Sequence, residues 1–168
     1  TRISPPTNYF GPKKIFIDED PFNSNTIVKI IDNEDYLPLK HKKSLDPKIP
    51  NSLKESIISF YLVNAIFYLR GIYETKDISM MINVSLFTAV QEQLKLEIIR
   101  YKAKIDNLLR HNIFLENEDS YKRLKKFKEV FEKYYSKNIK ETWHEIKNAI
   151  KETYLRIEIK SINQESSD

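Results

Sequence analysis

Glu158-Ile159-Lys160 sets a carboxylate and an amine two residues apart. On an extended chain that spacing puts both on one face, which is half of the metal site of a common class of nucleases. The other half, an Asp on a preceding paired strand, has no candidate, because a helical pattern leads up to the motif. Any amphipathic strand with charged outward positions makes Glu-x-Lys, so Glu158 and Lys160 are the only catalytic candidates and their pattern has little specificity. His41, His111 and His144 lie far apart, and none stands at metal-ligand spacing from another His or a paired carboxylate. Without Cys there is no thiolate ligand and no disulfide framework. With only Gly11 and Gly71, backbone amides cannot crowd around a phosphate. No serine elbow or Cys-His pair is present either. The expectation is a chain with no metal and no cofactor of its own, which by itself neither hydrolyses ATP nor cuts DNA.

Lys122, Arg123, Lys125, Lys126 and Lys128 form the densest basic cluster. At the start of a helix they are candidates for contact with a nucleic-acid backbone. Positive charge there opposes the helix dipole unless a partner compensates, and Glu129 and Glu132 follow closely, so the alternative is a solvated charged face. The formal net charge of +4 permits nucleic-acid binding without requiring it, since acids and bases are interspersed almost everywhere.

The elements that must position these residues divide at residue 50. All seven prolines (Pro5, Pro6, Pro12, Pro21, Pro38, Pro47 and Pro50) precede residue 51. Proline fixes its own φ and pushes its predecessor to extended geometry, which predicts a leading segment, 1–50, of loops and short strands near 14–17 and 26–31. From Asn51 the pattern is helical, with Asn51 or Ser52 as N-cap, Glu55 completing a capping box, and Gly71 as the stop. This helix is apolar around most of its circumference and so predicted to be buried on several sides. A short apolar run over 79–84 reads as a buried strand feeding a turn. Val90, Leu94, Ile98, Tyr101, Ile105 and Leu108 then mark an amphipathic helix to about His111. Tyr121, Leu124, Phe127, Phe131 and Tyr134 mark a third, and Ile139, Trp143, Ile146, Ile150 and Tyr154 a fourth, the last two joined as a hairpin. Alternation over 157–162 predicts a closing strand. The predicted core centres on Phe60, Leu62, Ile66, Leu94, Ile98, Phe127, Phe131 and Trp143. The fold class is therefore mainly α with a few short strands and about four helices in one domain.

A length of 168 residues suffices for a buried core, and 40% hydrophobic with 12% aromatic residues is too rich for a disordered chain. No run approaches the roughly 18 apolar residues of a membrane span, so no membrane partner and a cytoplasmic location are expected. The chain does not start with Met, and Thr1 to Pro6 read as the middle of something larger.

Three stretches resemble the Z-1 domain family, often labelled endonuclease and found in prokaryotic proteins with a superfamily 2 helicase-like domain. They are Pro5-Pro6-Thr7-Asn8-Tyr9-Phe10-Gly11, Ile49-Pro50-Asn51-Ser52-Leu53-Lys54-Glu55-Ser56-Ile57 continuing to Leu69-Arg70-Gly71, and Ser79-Met80-Met81-Ile82-Asn83-Val84-Ser85-Leu86-Phe87-Thr88-Ala89-Val90-Gln91. Asp77-Ile78 stands where the family tends to have His-Asn, and Asn83 where it has a His. The third stretch also looks like the fourth helicase motif, in which a strand ends in a small polar residue and a helix starts; Ser85, Thr88 and Gln91 occupy that turn. The resemblance implies that the helical body, 51–168, is attached to part of a RecA-like α/β sheet. It further implies a parent that is a helicase-like DNA-processing protein in restriction or defence, with the later helicase motifs beyond Asp168. On this basis the chain is a non-catalytic scaffold or DNA-contacting part whose partners are DNA and the remainder of the parent chain. The alternative, from the tyrosine-rich helices and near-balanced charge, is a helical protein-interaction module.

Overall fold

The computed structural model describes residues 31–38, 40–72 and 77–160. The chain divides into two compact units, Thr1–Asp32 and Asn33–Asp168, and the elements below belong to the second. The strand expected near 14–17 lies outside the described residues, as do the one near 26–31 apart from Ile31 and the end of the one over 157–162.

Helix α1, Asn51–Leu69, is the centre of the body. Ile57, Ile58, Tyr61, Leu62, Ala65 and Ile66 are buried around it, as expected of a helix whose apolar residues occupy more than one face. Its start differs from expectation. Pro50 is the N-cap, at φ −67° and ψ 160°, and no side chain caps the helix. Ser52 Oγ instead donates to Asn33 Oδ1 at 3.0 Å, and Glu55 is drawn to another helix. The end is as predicted. Gly71 sits at φ +68°, its N–H donates to Tyr68 O at 3.0 Å, and Ile72 N–H reaches Phe67 O at 3.0 Å. These are the paired bonds of a Schellman cap, which need a left-handed residue that glycine supplies without strain.

Helix α2, Thr88–Asn112, buries the stripe Val90, Leu94, Ile98, Ile105 and Leu109. Tyr61 of α1 donates to Asp106 Oδ1 across to α2 at 2.8 Å. The single helix expected next is two: α3, Glu118–Arg123, and α4, Lys125–Tyr134. They break at Leu124, whose ψ of 2° leaves the helical region while its side chain stays buried with Phe127, Val130 and Phe131. Asn117 and Ser120 close a reciprocal capping box on α3. Thr142 and Glu145 do the same for α5, Trp143–Thr153, which is why that helix begins four residues later than the apolar stripe. A 3-10 turn, Tyr154–Arg156, follows.

Helices α4 and α5 both pack on α1, whereas α2 packs on α3 and the 3-10 turn. The expected α4–α5 hairpin is thus mediated by α1, with the two helices meeting through the Phe131 and Trp143 rings, 5.8 Å apart. No strand ladder forms among the described residues. Residues 77–84 and 157–160 are nevertheless extended with alternating exposure. Met80, Ile82, Val84, Ile157 and Ile159 pack on the core while their neighbours face out.

Candidate nucleic-acid interface

The basic cluster straddles the break between α3 and α4, and all five cations are exposed. Four of them face carboxylates one turn away, Lys126 among them at 3.9 Å from Glu129. Lys122 lies 3.8 Å from Glu118, Lys125 3.6 Å from Glu129, and Lys128 3.7 Å from Glu132. Each of these pairs is solvent-exposed on both sides, so each holds little energy and is screened by salt. Lys126 differs. Its Nζ donates to Glu55 Oε1 of α1 at 2.9 Å, and Lys133 Nζ and Tyr134 OH reach Glu55 Oε2 at 3.0 and 3.2 Å. Hydrogen bonds from Lys126 and Lys133 hold the Glu55 carboxyl down to about 2, against a smaller opposing effect of desolvation. Lys126 is therefore part of the α1–α4 joint. Arg123 points to another feature, a cleft of about 530 Å³ between α2 and α3, lined among others by Lys104, His111, Leu115, Asp119 and Arg123.

On the far rim of that cleft the chain between α2 and α3 is pinned. Leu115 O accepts from Lys147 Nζ of α5 at 2.7 Å and from Ser120 Oγ at 3.0 Å. Lys147 is a buried lysine, 2% exposed. Loss of hydration lowers its pKa; Glu116 pulls the other way and Lys151 adds repulsion. Its Nζ also sits 5.2 Å from the centre of the Tyr121 ring, and Lys151 Nζ sits 5.5 Å from that of Phe114. Tyr121 was expected on the apolar stripe of the third helix, but the structure leaves it 51% exposed; nothing in the sequence marked Phe114 or Lys147, because a lone Lys in a helix reads as a solvated position.

The helicase-motif-like turn begins α2 at Thr88, as expected, but the segment before it is extended without a strand partner among the described residues. Ser85 is its hub. Gln91 Nε2 donates to Ser85 O at 2.6 Å and Phe87 N–H to Ser85 Oγ at 3.0 Å. His41 Nε2 lies 2.8 Å from Ser85 Oγ and His41 Nδ1 lies 2.7 Å from Pro38 O. The carbonyl can only accept, so Nδ1 carries a proton and Nε2 is the ring atom facing Ser85 Oγ. This hydrogen-bond chain has the order of an activated serine, but Oγ is also held by an amide and Ser85 is only 9% exposed. Its evident work is to anchor the 33–50 segment to the start of α2. Thr88 is exposed at that helix start. Glu158 and Lys160 are both exposed, pair with each other at 3.5 Å, and face away from Ile157 and Ile159. Among the described residues no three His, Asp or Glu side chains come together as a metal site would require.

A helical body built around one buried helix, with an exposed cationic face and two extended segments along its core, is the class of domain these elements define. The Z1 domain family model matches residues 52–168, and the chain belongs to that family. No curated protein and no solved structure matches it. No described helix is long and apolar enough to cross a membrane.

Proposed function

We propose that this chain is a non-catalytic portion of a Z1 domain from a cytoplasmic helicase-like DNA-processing protein of restriction or defence, serving as scaffold and DNA-contacting part. The observation that carries this reading is the division of labour in the basic cluster. Lys126 is committed to Glu55 and holds α4 on α1, whereas Lys122, Lys125 and Lys128 keep only loose, exposed pairs that phosphates can replace. The segments 77–84 and 157–160 already present one side to the core, which suits them to join a RecA-like sheet once further strands pair with them.

Duplex binding should be weak and insensitive to sequence, because phosphate contacts position a protein without reading bases. Affinity should fall with salt at a log–log slope of roughly −0.9 per phosphate neutralised, and Lys125→Gln with Lys128→Gln should flatten that slope. Lys126→Gln should lower stability. Undetectable affinity at low salt, or indifference to the Lys125 and Lys128 changes, would overturn the DNA-contacting role. The second reading, a protein-interaction module, would then lead; Leu96 and Ile99, three residues apart on an exposed face of α2 and 51% and 41% exposed, favour it.

A further inference from the structure

Phe114 and Tyr121 are the most exposed aromatic side chains among the described residues, at 59% and 51%. Exposed rings of this size ordinarily lose by remaining in water, so two of them on one short connection call for an explanation. Their mounting is rigid. Ile113, the residue before Phe114, is fully buried and its N–H closes on Leu109 O at 2.8 Å. Leu115 O takes the two donors described above, and Ser120, the residue before Tyr121, is fully buried inside its capping box. The backbone on the inner side of each ring is thus fixed while the ring faces out.

The charged group nearest each ring is an amine. Lys147 and Lys151, one turn apart on α5, bring an amine to each ring. Leu115 lies both between the rings in sequence and on the wall of the cleft that carries Lys104, His111 and Arg123. Neither Lys104 nor Arg123 has an ion-pair partner among the described residues. Asp119 on the cleft, Glu116 beside Lys147 and the exposed Glu118, which pairs with Lys122, are opposing charges. An apolar protein partner would cover the rings but bury Lys151, which has no ion pair among the described residues, at the edge of Phe114, at a desolvation penalty. A polyanion with flat apolar faces satisfies both.

We propose that Phe114, Tyr121, Lys151, Lys104 and Arg123 form a binding surface for single-stranded nucleic acid, with bases stacked on the two rings and phosphates met by the three cations. Stacking of this kind tolerates any base, because every base has a π face, and it is closed to an intact duplex, whose faces are already stacked. The proposal rests on the DNA-contacting reading above and gives it a strand form and a second face.

The test is fluorescence anisotropy of the full chain with a labelled oligo-dT of about 15 nucleotides, a length within the range of known single-strand sites, beside a duplex of mixed sequence. The single strand should bind more tightly. Phe114→Leu and Tyr121→Leu, which keep apolar volume but remove the ring, should each weaken it about tenfold while leaving the salt slope intact. Tyr121→Phe should restore wild-type affinity. Lys151→Gln and Arg123→Gln should instead flatten the slope by roughly 0.7 each. Thermal midpoints of all variants confirm folding, and Lys151→Gln provides a variant outside the buried connection. If the leucine variants bind oligo-dT as wild type does, the stacking surface is wrong. Duplex binding that depends on Lys125 and Lys128 but ignores the rings would overturn this proposal and leave the DNA-contacting role standing. Absence of binding to either form would overturn both and favour a protein partner at the rings.

Discussion

Lys147 places an amine where the chain has little water, and it does so without a carboxylate in hydrogen-bonding contact. Its partners are Leu115 O and the Tyr121 ring, and its pKa lies below the ordinary value of 10.5 because burial penalises the charged form. The folded state therefore sheds this proton at lower pH than the unfolded chain does. Between the lowered pKa and 10.5 the unfolded state binds more protons, so stability rises with pH across that window. Lys147→Met keeps the stem, removes the amine and leaves Leu115 O still bonded to Ser120, so the loss at neutral pH should be at most about 1 kcal/mol. Urea midpoints followed to pH 10.5 should show wild type gaining on Lys147→Met. Parallel curves would mean that the amine is as well hydrated folded as unfolded. The sequence could not reveal such a residue: Lys147 stands beside Ile146 in a helix, and only the approach of the 113–117 connection makes its position an interior one.

At the scale of elements, burial of one helix explains most of the architecture. Phe127 and Leu62 are at most 1% exposed, and Tyr61 meets Phe127 edge to face with centroids 6.0 Å apart. Of the eight residues expected at the core, six are buried; Phe60 and Trp143 are only partly so. Trp143 is the first residue of α5, packs against Phe131 and is only partly buried. Phe127→Ala should cost about 3–5 kcal/mol, whereas Trp143→Ala should cost about half as much. Urea midpoints of the two variants measure the difference, and equal losses would place Trp143 inside the core after all. Helical stripes were legible because a 3.6-residue period reports which face is covered. The strands were half legible for a related reason. Alternation over 79–84 and 157–160 reports that one side is buried, which the structure shows, but it says nothing about whether a neighbouring backbone completes the ladder. The capping boxes at Asn117 and Thr142 were also present in the sequence as Asn-x-x-Ser and Thr-x-x-Glu. The stripe of the fourth helix, starting at Ile139, ran past Thr142 and hid its box, whereas that of the third starts at Tyr121, after Asn117.

Across the whole body, α1 is fastened near each end by a carboxylate. Glu55 takes Lys126, Lys133 and Tyr134 from α4, and Arg70, just past the C-terminal end of α1, holds Glu141 before α5 with bonds of 2.6 and 3.1 Å. The capping-box role foreseen for Glu55 misjudged it, because its true partners are more than seventy residues away and no local pattern encodes them. Hydrogen bonds from the lysines hold Glu55 at about 2, and those from Arg70 hold Glu141 at about 2, both down from 4.5. A carboxylate with a depressed folded pKa contributes stability that is present above the unfolded value and lost as pH falls toward the folded one. Acid should therefore loosen the body between pH 4.5 and about 2. Because Lys126 and Arg70 are about half exposed, at 53% and 43%, solvent screening reduces each fastening to about 0.5–1.5 kcal/mol. The two sites are roughly 20 Å apart along the helix and share no partner, so their effects should add to within about 0.5 kcal/mol. Glu55→Gln combined with Glu141→Gln should lower the urea midpoint at pH 7 and flatten its decline below pH 4.5 relative to wild type. If the double variant matches wild type at pH 7 and then falls in parallel with it, neither carboxylate fastens α1, and the helix is held by its apolar packing alone.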